Sequence, residues 1–487
     1  MYTWIPLSSV ADLAQLTTHI SSEYGPKAVA KKLTDSLSDA VKAVLIERDY
    51  TDKDYRSTYY NFYAKKGQRY RPDCVRLHFF DATVSFDEGT LRLKSATDDR
   101  LGDHYFGFMV LRPTGIGTIG RSVLSPDVRR GATRYVIAAD HKVHVLGHTL
   151  MIRGFPSMDQ HRDVSVCAHA SCWSMLRHYS ERYPVYREFL THDITMMAQQ
   201  FNPGGLVPSK GLGVPQAERI FQAAGTFPLV VARKRNTVID PTFYRQLAAY
   251  VDSGFPLFAA MHKRQHAVVV VGYEWRAPVT TATAGMRYSW DEIETLAVVD
   301  DNYLPYIAIP KSGGTLYSAE DIDTFIVAFP EKIFYPAEAV ELFVPALFKL
   351  GAVVGLPPQN ETILRYFITT GSALRRFVRK HESEFDAKLL KTIMTLRYAQ
   401  FVWVVEIATE PQWATNRCFA RAIIDATASP RELMPLWLLH TAKKALVFDR
   451  ETVGLELHAG MRGLSLSDMG HTTFTRMDQN LRPTQTK

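Results

Sequence analysis

The 487-residue chain is poor in cysteine, and its four thiols exclude more than they suggest. Cys74, Cys167, Cys172 and Cys418 are too few for a disulfide framework and too dispersed for a zinc ribbon, so they fit a reducing compartment. Long apolar runs are also missing: no stretch approaches the roughly 18–20 residues that a membrane span needs. The opening MYTWIPLSSVADLAQ has no basic segment ahead of an apolar one, which argues against a secretory signal. A cytoplasmic protein with no membrane segment is the resulting expectation. Charge of one sign is scarce too. The formal net charge of +7 is small for this length, and the runs ARKRN and KHESEFDAKLLK read as a solvated loop and helix face. Nucleic acid and membrane surfaces are therefore not expected partners. The aromatic-basic stretch YYNFYAKKGQRYR reads as a half-exposed face of a strand or helix rather than a stacking platform.

What is present is enough apolar sequence, 46% of residues, for two or three cores. Residues 1–150 read as an α+β domain. A helical pattern from Lys27 to Ile46 is followed by the strand-like runs CVRLHFF, YFGFMVLRP, RYVIAA and KVHVLGHTLMI. Within it, Gly115, Gly117 and Gly120 match GxGxxG. No helical period follows them, so the match predicts a hairpin turn and not a phosphate cradle. Residues 151–335 form a second α+β unit: a helix over ASCWSMLRHYSERY, a Gly/Pro loop (FNPGGLVPSKGLG), two more helices, and the strands PLFAAM, HAVVVVGYEW and ETLAVVDD. Gly225 and Gly254 stand where helices should end. Residues 336–487 begin helical (AEAVELFVPALFKL, then LRYFITTGSALRRFVRKHESEF) and continue into a strand pair, with a polar, frayed tail expected from about Gly463.

One set of residues carries chemistry. His266 sits at the mouth of an apolar strand, where a core would have no use for an imidazole. Upstream lies the cysteine-bearing turn VSVCAHASCWSML, and downstream a strand ends in Asp300 and Asp301. Thiol, imidazole and carboxylate are the groups that thiolate acyl transfer requires. With Ser165 as N-cap, Cys167 falls in the first helical turn, where the dipole favours a thiolate, and Cys172 lies more than a turn deeper. His262 and His266 are four apart, but on a strand that spacing does not converge on a metal. His169 and His178 read as packing or surface residues of the thiol helix. No metal or cofactor is expected.

This region, about residues 155–310, resembles the papain-like cysteine peptidase superfamily, and most closely its bacterial branch that includes bacteriocin-leader peptidases. In that branch a glutamine precedes a cysteine turn and a later His-Ala-Val-Val-x-x-Gly-Tyr strand supplies the base. The resemblance implies a papain-like core, a thiol-bearing helix packed on an antiparallel sheet, between flanking α+β domains. It also implies Gln160 as oxyanion-hole residue, Cys167 as nucleophile, His266 as base, and Asp300 or Asp301 as orienting acid. Ser171-Cys172-Trp173 is similar to papain's own Ser-Cys-Trp, which leaves Cys172 as the other nucleophile. The expected activity is hydrolysis of a peptide or isopeptide bond in a peptide or protein substrate. Transfer to an amine or alcohol uses the same trio, and a non-catalytic peptide-binding or regulatory module is the remaining alternative.

Overall fold

A computed structural model describes residues 2–97, 100–131, 135–160, 167–199, 212–234, 240–277, 285–331, 333–432, 434–453, 456–477 and 482–483. It is a mixed α+β fold built on three largely antiparallel sheets. The first runs in the order Tyr2–Pro6, Ala43–Tyr50, Cys74–Phe80, Tyr105–Leu111, Ile119–Leu124, His148–Ser157, Ala139–Val145. Its two faces are covered by separate apolar clusters, one closed by the helix Pro26–Ser36 through Val29, Ala30 and Leu33.

Burial on both faces explains a departure from the sequence reading. The helix expected from Lys27 to Ile46 stops at Ser36, and Ala43–Tyr50 is a strand paired on both edges. Val44, Leu45 and Ile46 are all buried, so no alternation marks them as a strand. The run KVHVLGHTLMI likewise breaks into a hairpin at Leu146-Gly147. Both residues have positive φ (49° and 77°), the geometry of a tight two-residue turn. Gly115 and Gly117 lie in the turn between two antiparallel strands, Tyr105–Leu111 and Ile119–Leu124, as their context implied, and Gly120 lies in the second strand.

The second sheet has the order Phe227–Ala232, Thr324–Phe329, Leu257–Met261, His266–Trp275, Ile293–Val299, Ile307–Pro310. The helix Cys167–Arg182 packs against its central strand. Two short strands cross into this sheet from outside the 151–335 segment. Tyr135–Val136 pairs with the central strand at Tyr273 and Gly272, and Arg482–Pro483 pairs with Tyr135–Val136 in turn. A β-carbon on Gly272 would stand 2.1 Å from the Tyr135 carbonyl oxygen, so only glycine admits this crossing. The first sheet, in turn, runs past position 150 to Ser157.

The third sheet carries Ile363–Thr370, Phe401–Ala408, Ala420–Asp425, Leu436–Thr441, Lys444–Val453 and Glu456–Ser465. Ala337–Val354 is helical as expected. Ile363–Thr370, read as helix, is instead a fully paired strand whose residues are buried on both faces, and the helix begins only at Gly371. The second and third sheets share one continuous apolar core, which joins Leu257 and Val270 to Leu364, Trp403 and Leu439. The polar tail is not frayed through Met477. Phe474–Thr475 pairs with Arg417–Cys418, Phe474 and Met477 are buried, and the Met477 N–H donates to Glu406. The tail's polar backbone thus finds buried carboxylate partners that its composition does not announce.

Candidate active site

Cys167 is the first described residue of the helix Cys167–Arg182, half-buried, in the wall of a cleft of about 710 Å³. Gln160, His262, Gln265 and His266 line the same cleft. Ser165 and loop residues 201–211 lie outside the described residues. The thiol helix is held from both sides. Ser171 Oγ donates to the Ala267 carbonyl of the histidine strand at 3.4 Å. On the other face, Trp173 Nε1 (2.9 Å) and Arg177 (2.9 and 3.0 Å) donate to the buried carboxylate of Asp54 in the helix Lys53–Asn61. Cys172 is wholly buried in the core, and burial pushes its thiol well above the ordinary range. His169 and His178 are buried packing residues of the same helix.

His266 opens its strand because the preceding hairpin forces it there. Met261 pairs with His266, and the turn between them closes with Gln265 in the left-handed region (φ 50°). The turn is pinned from outside: the His262 N–H donates to Asp323 Oδ2 at 2.7 Å, and its ring faces the same carboxylate. His262 is thus engaged elsewhere and does not converge on His266.

The imidazole of His266 faces two partners. Its Nε2 lies 3.0 Å from Asp300 Oδ2, and its other side hydrogen-bonds with the Cys167 thiol. With Nε2 committed, Nδ1 is the nitrogen left for the sulfur. Desolvation is the largest single influence on this ring and disfavours its charge. The hydrogen bonds to Asp300 and Cys167 and the Asp300 charge outweigh it, and the pKa rises to about 10.

Asp300, directly after Ile293–Val299, is the one of the two acids that bonds the ring. Its side chain is 1% exposed, and four donors fill its two oxygens. Oδ2 receives His266 and the Tyr317 hydroxyl (2.7 Å); Oδ1 receives the Asn302 N–H (2.9 Å) and Asn302 Nδ2 (3.0 Å). Burial alone would raise this carboxyl, but its bonds to His266, Asn302 and Tyr317 hold it below the usual carboxylate range. Asp301, beside it, is pushed the other way, up to about 7, by burial and then by the Asp300 charge. The neighbouring carboxyls thus have opposite environments: the one around Asp300 favours its ionised form against the ring, and the one around Asp301 disfavours it.

One donor atom from each of His266, Asp300 and Asp301 lies within 4.8 Å of the others, a spacing that a divalent cation would accept. The hydrogen bonds argue against that use, since the four donors on Asp300 and the committed Nε2 occupy the lone pairs a cation needs.

Sequence reasoning therefore named Gln160, Cys167 and His266, which line one cleft, and left Asp300 and Asp301 open. It missed Tyr317 and Asn302, which decide between the two acids. Asn302 follows them directly, but nothing in the spacing of Tyr317 signals its role. Comparison of the chain with family models, curated proteins and solved structures finds no match, so the reading of this site rests on its geometry.

Proposed function

We propose that this chain is a cysteine-dependent hydrolase of papain-like architecture that cleaves a peptide or isopeptide bond. One observation carries the reading: a single imidazole bonds the Cys167 thiol on one side and a buried, ionised carboxylate on the other, in the wall of an open cleft. The order of parts supports it as well. A thiol helix precedes an antiparallel sheet, the base begins one strand, and the acid ends the strand beside it.

In the reaction proposed, the proton of Cys167 rests on His266 Nδ1 and the thiolate attacks the substrate carbonyl carbon. As the S–C bond forms, the carbonyl electron pair moves to oxygen. In this scheme the Cys167 N–H and the Gln160 side chain donate to that oxyanion. Its collapse breaks the C–N bond while His266 passes its proton to the leaving amine, giving a thioester. Water then loses a proton to Nδ1 and attacks, and breaking the C–S bond frees the acid and restores the thiolate–imidazolium pair. Asp300 fixes the ring's orientation throughout. A short peptide carrying a chloromethyl ketone tests this reading with peptide mapping. Adducts confined to Cys167, suppressed in His266→Ala, are expected; equal or absent labelling of the four cysteines would count against it.

A further inference from the structure

We infer that the N-terminal domain holds the side-chain part of the oxyanion hole, Gln160, and that Lys32, Arg112 and Gly117 are its positioning residues. The inference rests on the cysteine-hydrolase reading and adds what positions one of its residues. Gln160 belongs to no helix or strand of the second sheet. It follows His148–Ser157, a strand of the first sheet, so the domain that carries Gln160 is not the one that carries His266.

Three contacts fix the segment ending at Gln160. The Asp159 N–H donates to the Ile119 carbonyl at 3.0 Å. Lys32, on the helix Pro26–Ser36, reaches both carboxylate oxygens of Asp159 at 2.8 and 2.9 Å. Buried Arg112 donates one guanidinium nitrogen to two carbonyls, that of Asp159 (3.0 Å) and that of Gly117 in the hairpin turn. The turn itself is the seat. Gly117 has φ +59°, and a β-carbon there would stand 2.4 Å from the Gln160 carbonyl oxygen. That approach is backbone against backbone, so a side chain has nowhere to yield. The glycine-rich stretch that resembles a phosphate loop by pattern thus makes room for the main chain of the oxyanion residue.

Such a clamp acts only on steps that form an oxyanion. Formation of the tetrahedral oxyanion needs Gln160 within hydrogen-bond reach, and a misplacement of about 1 Å can cost about a hundredfold. Displacement of iodide from iodoacetamide by the thiolate makes no oxyanion and needs only the Cys167–His266 pair. The two reactions can be compared on the full chain. One is the burst of nitrophenolate as p-nitrophenyl acetate acylates Cys167; the other is the iodoacetamide rate at the same residue. Lys32→Met and Gly117→Ala are expected to slow acylation about tenfold or more while alkylation stays within about twofold. Lys32→Arg restores acylation, because it keeps the cation on Asp159. Gln160→Ala shows the same selective loss, and adding Lys32→Met to it costs little more, as expected of residues that act through one another. Unchanged acylation in both Lys32→Met and Gly117→Ala overturns the inference, as does a full additive loss in the double variant or an equal loss of both reactions. If Cys167 of the unaltered protein shows neither acylation nor His266-dependent alkylation, the hydrolase reading fails and this one with it. Normal alkylation with acylation indifferent to the clamp removes this inference alone.

Discussion

Cys167→Ala should abolish acyl transfer, lowering the single-turnover acylation rate by roughly a thousandfold or more, with the fold intact. The size follows from the site: no other thiol among the described residues faces the cleft, so nothing substitutes for the lost nucleophile. Cys74, Cys172 and Cys418 are all buried in cores. The matched control is Cys172→Ala, which removes one sulfur from the core and should cost stability on the order of 1 kcal/mol while acylation persists. Nitrophenolate bursts and urea denaturation on the two variants separate chemistry from stability. Full activity in Cys167→Ala with none in Cys172→Ala would reverse the assignment.

The second large effect lies at the junction of the second and third sheets, where four buried charges alternate. Arg365 donates to Asp252 (2.8 and 3.2 Å) and to Glu406 (2.9 Å), and Arg421 donates to Glu406 at 2.7 Å. Tyr273 of the histidine strand completes the Asp252 shell at 2.8 Å, and both polar groups of the Met477 backbone close the other end. Burial disfavours each of these charges, yet the partners hold Glu406 below its ordinary value and Arg365 above its own. Arg365→Met should therefore destabilise the protein by roughly 3–5 kcal/mol, because it leaves Asp252 a buried anion with no cation beside it and Glu406 with Arg421 alone. Urea denaturation gives the magnitude. Amide exchange should rise in Phe401–Ala408, His266–Trp275 and the tail around Met477 together, since one guanidinium serves all three. An unchanged denaturation midpoint would mean that the junction draws its stability from apolar packing alone.

Much of the second sheet is legible in the sequence because its signals are local. A polar histidine before four valines and a glycine marks both the strand and the end of it that lines the cleft. Helices that finish at Gly225 and Gly254 do so with φ of 88° and 82°, as helix-terminating glycines should. The errors share a cause. Ala43–Tyr50 and Ile363–Thr370 sit inside sheets with both faces covered, which erases the alternation that identifies a strand. Long-range partners are illegible for a different reason. Tyr317 on Asp300, Lys32 on Asp159 and Met477 on Glu406 are pairings across 17, 127 and 71 residues, and no periodicity connects them. The glycines at 115 and 117 are recognisable in the sequence as a turn. What the turn serves becomes visible only when the Gln160 carbonyl is found against it.

The most direct test of the central claim is the rate of iodoacetamide alkylation of each cysteine against pH, mapped by mass spectrometry, in the unaltered protein and in His266→Ala. The imidazolium of His266 persists up to about pH 10. Cys167 should therefore react fast already near about pH 6, where an ordinary thiol is almost wholly protonated, and should lose that advantage without His266. Cys74, Cys172 and Cys418, buried as they are, should react only on unfolding. A Cys167 rate that climbs only through the ordinary thiol range, near about pH 8.5, and is the same in both proteins would contradict the account.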